Sequence, residues 1–325
     1  MRVAVIGAGV TGLTCARALD AAGVEVVVLE KARGAGGRLS SRRTDHGGFD
    51  HGGAVLRRDE VRDVAGVELA SFAPRLAGVE AALGWQPVGV VPVPTASALP
   101  KALAAGLTLR AATHVAPLPA DGPLTLRGLD GSTIDTVDHV VVTAPAPQVA
   151  ELLAHRAPGL AERAAAAEMT PCWTAMIALH EPAGLPFDAI RERGPVHWAV
   201  AESAKPGRDG GERWTVQATA AFSAEHLEDP PETVGAALLA ALGQIALEED
   251  VPANALALRQ PALLQAHRWR YARVARALPE PLLHDAPAGV LAAGDWCTPH
   301  DAGITPGTVA AAQAAGAALA AALLP

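Results

Sequence analysis

The sequence predicts an α/β protein in which a domain built on a parallel sheet is interleaved with an α+β domain. Three observations carry this expectation. Residues 2–6 (RVAVI) form a short, continuously apolar run, as in parallel strands buried on both faces. GAGVTG at 7–12 then opens a helical segment to about Asp20, and VEVVVLE supplies a second buried strand. Beyond residue 57 the pattern loosens twice, over 58–96 and 166–265, and tight apolar segments return after each stretch.

The first βαβ unit ends at Glu30, with Gly23 stopping its helix. A helix is expected near 66–83, then WQPVGVVPVP as a Pro-interrupted strand of edge character. SALPKALAA at 97–105 reads as a helix. LTLRAATHVAPL, PLTLRGL and TIDTVDHVVV follow as strands of a small meander that returns to a buried strand at 139–144. Residues 147–167 read as helical, and strands are expected near 172–180, 196–202 and 213–222. A helix at about 231–246 precedes HRWRYARV, whose spacing fits helix or strand. GVLAAGDW is a buried strand with a polar end, and a final helix starts near Thr305. The pattern assigns residues 1–57, 97–165 and 266–325 to the dinucleotide-binding domain and 58–96 and 166–265 to a substrate domain.

Composition excludes several classes. Half of the 325 residues are apolar, enough for a sizeable core. A formal net charge of −8 argues against a nucleic-acid or anionic-membrane surface. Cys15, Cys172 and Cys297 lie far apart without a CxxC pair, so neither a disulfide framework nor a metal site is expected, and a reducing cytoplasm is the expected compartment. The N-terminus reads as a strand rather than a signal peptide. The run AAAQAAGAALAAALLP carries Gln313 and Gly316 and is expected to be a buried helix, not a membrane span.

GAGVTG has the GxGxxG spacing. Gly7 makes the tight turn, Gly9 lets backbone approach a pyrophosphate, and Gly12 permits close helix–strand packing. The helix N-terminus at Val10 and Thr11 supplies N–H groups and a positive dipole end. Such a hexamer alone is weak evidence. Here it lies between strand and helix, and Glu30 ends the second strand about 20 residues on, placed to accept the hydroxyls of an adenosine ribose. This is a Rossmann-type dinucleotide site. In LEKARGAGGR at 29–38, the acid is followed by Lys31, Arg33, Gly37 and Arg38, a basic and flexible loop suited to phosphates or to the far end of a larger dinucleotide. That favours FAD over NAD.

The combination of GxGxxG, strand-end Glu and GGR resembles the amine-oxidase superfamily of FAD enzymes. FDHGGAV at 49–55, with Gly53 and Ala54, is similar to that superfamily's loop toward the flavin. VAPL, beginning at Val115, is similar to the strand whose backbone meets adenine, and VVVTAPAP, with Thr143 and Ala144, to a further cofactor-side strand. AGDW followed by GITPGTVAAAQAAG resembles its closing motif. The resemblance implies Gly294 and Asp295 at the ribityl or phosphate hydroxyls. It also implies a helix N-terminus near Gly303, Ile304, Thr305 and Thr308 at the flavin pyrimidine, where a positive dipole end stabilises the reduced ring.

PAPQVAELL, SAKPGR, WTVQATAAFSAEHLE and HRWRYARV narrow the resemblance to renalase-like flavoproteins, over essentially the whole chain. That implies noncovalent FAD and a two-domain fold like that of p-hydroxybenzoate hydroxylase. It further implies oxidation of a small substrate, such as a misreduced dihydro-isomer of NAD(P), with molecular oxygen as acceptor and hydrogen peroxide as product. The chain departs from the pattern at FDHGGAVL, where an aromatic after a GAQ-like turn is expected.

Alternatives remain open. A flavin amine oxidase or desaturase would favour a substrate-domain lysine at the flavin, and Lys205 is the only lysine there, in AKPGRDGG, a loop expected to be solvated. A flavin-binding protein without turnover is the third reading. Trp269 either flanks the flavin or fills the domain junction, and His51 is either a proton relay or a hydrogen-bonding spacer. Arg268, Arg270 and Arg273 either hold an anionic substrate or form a solvated face. Cys297 follows the closing motif and Cys172 lies far before it, which favours noncovalent flavin.

Overall fold

The computed structural model describes residues 1–78, 89–249, 257–300 and 302–324. The chain opens with β1 (Arg2–Ile6), α1 (Val10–Ala21) and β2 (Glu25–Leu29), then a hairpin of β3 (Arg42–Thr44) and β4 (Gly47–Phe49). β5 (Glu68–Phe72) pairs antiparallel with β6 (Gly89–Val93). Next come α2 (Ala98–Ala104), β7 (Thr108–Arg110), the antiparallel pair β8 (Leu124–Arg127) and β9 (Thr133–Val137), and β10 (His139–Val142). α3 (Ala146–Leu153) and α4 (Pro158–Ala165) lead into β11 (Glu168–Ala178), β12 (Ala189–Arg193), β13 (Val196–Ala201) and β14 (Arg213–Ala218). The chain continues through α5 (Ala220–Glu225), α6 (Pro231–Glu248) and β15 (Leu263–Arg276), and closes with β16 (Leu283–Asp285), β17 (Val290–Ala292) and α7 (Val309–Ala321).

Two large sheets organise these elements. The first has the order β16-β17-β10-β1-β2-β7 and is parallel except for β16 at its edge. Its inner strands read as unbroken apolar runs because both faces are covered: Val3, Ala4, Val5, Val140, Val141 and Val142 are fully buried. α7 packs on α1 at very short range, since a Cβ on Gly316 would lie 2.4 Å from the Thr11 carbonyl oxygen. Alanine and glycine make that approach possible. No helix among the described residues is long and apolar enough to cross a membrane.

The second sheet is antiparallel, with the order β12-β13-β14-β11-β15. Its alternation separates two faces. Trp173, Ala175 and Ile177 of β11 and Trp214 and Val216 of β14 turn to a core closed by Leu238, Leu242 and Ile245 of α6. Residues of the opposite face, including Cys172, Gln217, His267 and Trp269, line the main cavity.

Several expectations are corrected. The segment expected as a helix near 66–83 contains β5, and its end, like the start of the WQPVGVVPVP run, lies outside the described residues. β7 belongs to no meander; it extends the parallel sheet beside β2. β12 is a strand that the sequence pattern did not indicate. The boundary expected at 266 falls inside β15, whose backbone pairs with β11 from Leu263 to Arg276, so that strand belongs with the antiparallel sheet. The last helix begins at Val309 rather than near Thr305, because the Thr308 hydroxyl caps it by accepting from the Ala311 N–H at 3.2 Å.

Candidate functional site

β1, β2, β10 and β17 are mutually parallel, so the turns after Ile6, Leu29, Val142 and Ala292 open at one edge of the sheet, the edge where open α/β sheets hold ligands. Gly7 leaves β1 at φ 109°, and a Cβ there would lie 2.9 Å from Thr143 Oγ1. A Cβ on Gly12 would lie 2.1 Å from the Gly7 carbonyl oxygen. Gly9 differs, because nothing stands within 4 Å of its Cβ position. Packing therefore requires the first and third glycines, whereas the second faces open space. It does so beside Val10 and Thr11, whose N–H groups lack a helical partner.

Glu30 is buried and fixed by two amides: Ala8 N–H donates to Oε2 at 2.7 Å and Ala32 N–H to Oε1 at 2.8 Å. Each oxygen retains a lone pair for a further donor. Lys31 Nζ donates to Gln148 Oε1 at 3.1 Å, and Arg33 lines the cavity nearby in sequence. The glycine loop lies against the first turn: Gly36 N–H donates to the Ala8 carbonyl at 2.9 Å, and a Cβ on Gly37 would lie 3.5 Å from Gly9 Cα. Arg38 reaches the far end of the chain. Its Nη2 meets Asp295 Oδ1 at 2.6 Å, and its Nη1 donates to the Ala272 carbonyl at 3.1 Å.

Behind this wall the side chains are structural. Thr143 Oγ1 lies 3.1 Å from both the Ile6 and the Gly7 carbonyl oxygens. Trp296 is fully buried and donates from Nε1 to the Ala144 carbonyl at 3.1 Å. A Cβ on Gly294 would meet that indole at 2.3 Å. Val115 is buried, makes a single bridge to Gly128, and lines the cavity.

The cavity measures about 2010 Å³ and joins this sheet edge to the antiparallel sheet. Between them runs the loop 50–53, held residue by residue. Asp50 N–H donates to Glu202 Oε1 at 3.1 Å, the His51 carbonyl accepts from Trp269 Nε1 at 2.9 Å, the Gly52 carbonyl accepts from Gln217 Nε2 at 2.5 Å, and Gly53 N–H donates to the Arg38 carbonyl at 2.8 Å. Ala54 follows, buried against Phe72, Val91 and Val200. The rings of His51, His267 and Trp269 cluster with centroids 4.5–5.1 Å apart. Burial pushes the His51 imidazole down to about 3, with His267 and Arg42 adding to the effect. Burial and Arg42 push His267 down to about 4. Both rings are therefore neutral near pH 7.

Below this loop lies a closed group of four charges. Lys205 Nζ is 2.9 Å from both Glu202 oxygens and 3.3 Å from Asp50 Oδ2, and Arg208 Nη2 is 2.5 Å from Asp50 Oδ2. Burial pushes the Asp50 carboxyl up, but Lys205 and Arg208 outweigh it and hold it below the usual range.

Residues 5–66 match the NAD(P)-binding Rossmann-like domain, and residues 86–320 match the flavin containing amine oxidoreductase family. The chain belongs to the flavin-containing amine oxidoreductases. Its fold is similar to that of cyclohexylamine oxidase from Brevibacterium oxydans IH-35A, with TM-score 0.70 and 13% identity over 99% of both chains. A putative protoporphyrinogen oxidase from Exiguobacterium sp. 255-15 aligns with TM-score 0.66 and 12% identity, over 99% of this chain and 98% of that one. A 4,4'-diapophytoene desaturase from Staphylococcus aureus is 43% identical over 61 residues, 19% of this chain but only 12% of the desaturase.

The cradle fits FAD on its own geometry: open space at Gly9, a buried strand-end acid, a basic loop and one cavity long enough to include both sheets. Other expected residues sit differently in this flavoprotein. Gly303, Ile304 and Thr305 do not line the cavity and lie in a largely exposed segment; Gly307, Thr308 and Val309 line it instead. Lys205 is buried rather than solvated, because two carboxylates compensate its charge, and it is not a lining residue. Arg268 and Arg270 are tied to Glu228 at 2.8 and 2.7 Å. Cys297 is buried, and burial pushes its thiol up to about 12.

Sequence reasoning missed Arg42, Gln217 and His267. His267 was accessible in principle: in HRWRYAR the residues 267, 269 and 271 share one face if the segment is a strand.

Proposed function

We propose that this chain is a renalase-like oxidase of a small planar substrate, of which a misreduced dihydro-isomer of NAD(P) is the type. FAD, when bound, supplies the two-electron acceptor: the substrate loses a hydride, and molecular oxygen later takes the electrons as hydrogen peroxide. Gly7, Gly9, Val10, Thr11, Gly12 and Gly37 shape the pyrophosphate cradle in this reading. Glu30 orients the adenosine ribose, and Lys31, Arg33, Arg38, Asp295 and Thr308 complete the polar contacts. Gly53, Ala54, Val115, Thr143, Ala144 and Gly294 keep backbone close to the cofactor. Gly303, Ile304 and Thr305 fall out of the set.

The observation that carries the reading is the wall formed by His51, His267 and Trp269, with both imidazoles held neutral by burial. Flat, uncharged rings suit a planar heterocycle that gives up a hydride without general-base help. Trp269 and His51 orient the substrate in this scheme. His51 is a spacer through its carbonyl and a ring contact through its imidazole, not a proton relay. The second reading, a flavin amine oxidase or desaturase, is favoured by the family and by the whole-chain similarity to cyclohexylamine oxidase. The burial of Lys205 in its ion cluster weighs against a lysine-assisted form of it.

Anaerobic stopped-flow absorbance tests both. The flavin is expected to bleach rapidly with 2- or 6-dihydro isomers of NAD(P)H, and to recover with peroxide release when air is admitted. Bleaching only with primary amines would move the assignment to the second reading. A flavin that no donor reduces would leave a binding protein without turnover.

A further inference from the structure

The walls that β3 and the antiparallel sheet present to the cavity carry several arginines and, among the described residues, no carboxylate. The carboxylates that line the cavity lie elsewhere and are engaged or solvated. Glu30 is held by amides, Asp295 by Arg38, and Glu60 sits 3.5 Å from Arg57, while Asp45 and Glu151 are exposed. Two of the arginines stand out by their partners. The Arg42 side chain makes no hydrogen bond or ion pair among the described residues, yet lies close enough to His51 and His267 for its charge to act on both. Among the described residues the Arg273 side chain has as its hydrogen-bond partner the Cys172 sulfur, at 3.7 Å, and its charge acts on His197. By contrast Arg268 and Arg270, on the same strand, are neutralised by Glu228.

An independent observation concerns the ring beside Arg42. His51 is 4% exposed, its Nδ1 is buried, and among the described residues that atom has no hydrogen-bond partner. Buried ring nitrogens are normally satisfied. A guanidinium without a counter-ion, an unsatisfied imidazole nitrogen and the Trp269 ring together describe a site for a flat body bearing an oxyanion.

We propose that Arg42 binds an anionic group of the substrate, a carboxylate or phosphate, so that the enzyme takes planar anions and rejects free ammonium compounds. This rests on the flavoenzyme reading of the cavity above. A guanidinium offers paired N–H donors in the plane of a carboxylate or phosphate. An ammonium ion in the same place meets like charge with no carboxylate to offset it.

The test uses the oxidised holoprotein, with the flavin absorbance band reporting binding of benzoate, phenyl phosphate, benzamide and benzylamine. One of the two anions is expected to bind roughly tenfold or more tightly than benzamide or benzylamine, and which one identifies the group recognised. Arg42→Ala is expected to raise that anion's Kd by roughly tenfold while leaving benzamide unchanged. Equal or tighter binding of benzylamine or benzamide in the parent protein would overturn the proposal, and needs no variant to fold. So would unchanged anion affinity in Arg42→Ala. If Arg42→Ala loses its flavin, Arg42 belongs to the cofactor site and the proposal fails for it. The outcomes separate from those of the reaction: an anion preference in a protein that no dihydropyridine reduces would keep this inference and remove the renalase-like reading. Equal reduction rates by dihydropyridines with and without an anionic group would do the reverse.

Discussion

Arg38 and Asp295, 257 residues apart in the chain, meet in a 2.6 Å ion pair on the cavity wall. The pair joins the glycine-rich loop after β2 to the turn after β17, so two motifs that read as separate cofactor contacts form one unit. Asp295 is almost fully buried and Arg38 is one-third exposed, so removing the acid strands a largely desolvated guanidinium.

Asp295→Ala is therefore expected to lower stability by about 1–3 kcal/mol and to release flavin during gel filtration. Thermal unfolding with absorbance of the eluted protein checks both. A variant that keeps its Tm and its colour would refute the coupling.

The two glycines of the first turn separate folding from binding. Gly12→Ala places a methyl 2.1 Å from a carbonyl oxygen and is expected to abolish folding or cost several degrees in Tm. Gly9→Ala faces open space at φ −77°, which alanine adopts freely. It is expected to keep the Tm of the flavin-free protein and to weaken FAD binding by roughly tenfold. Equal loss of Tm in both would contradict this division.

Lys205 is expected to act through stability rather than chemistry. Lys205→Met leaves Asp50 and Glu202 facing Arg208 alone and is expected to destabilise by about 3–5 kcal/mol, with the rate of flavin reduction in the folded fraction unchanged. The sign with pH follows from Asp50, whose carboxyl is held below its usual value of 3.8. Its contribution is complete above that value and is lost as pH falls through the lower folded value. The variant should show a shallower fall in Tm than the parent as pH drops below about 4.

His51 and His267 predict a second window. Their folded values of about 3 and about 4 lie below the ordinary 6.5, so the unfolded chain binds more protons than the native one between these limits. Stability is full above 6.5 and declines as pH falls toward 4, by about 1.4 kcal/mol per pH unit for each fully differential proton. His51→Gln and His267→Gln should each flatten urea-derived stability across pH 4–6.5. An unchanged slope would mean that the imidazoles titrate normally in the folded state.

The Rossmann-type half of the molecule was legible because its signals are local. RVAVI, GAGVTG and VEVVVLE each fix a backbone state through apolar run length or glycine geometry, and the resulting β1, α1 and β2 lie where expected. The final helix start was misplaced because TPG resembles an N-terminus, whereas the hydroxyl that caps the helix is that of Thr308. β5 and β12 were missed because short strands in the looser regions lack the run length that distinguishes strand from helix.

What the sequence determined by itself was the first βαβ unit of the parallel sheet, the cofactor turn and the strand-end acid, since these depend on neighbours within a few dozen residues. Only the tertiary structure decided that AKPGRDGG buries its lysine, that Arg268 and Arg270 turn to Glu228, and that Arg42 comes within electrostatic range of His51 and His267. A loop of lysine, glycine and arginine reads as solvated until the two carboxylates that offset its burial are known. Those partners, Asp50 and Glu202, lie 155 and 3 residues from Lys205, and it is their convergence in space that sets the balance between desolvation and Coulomb attraction.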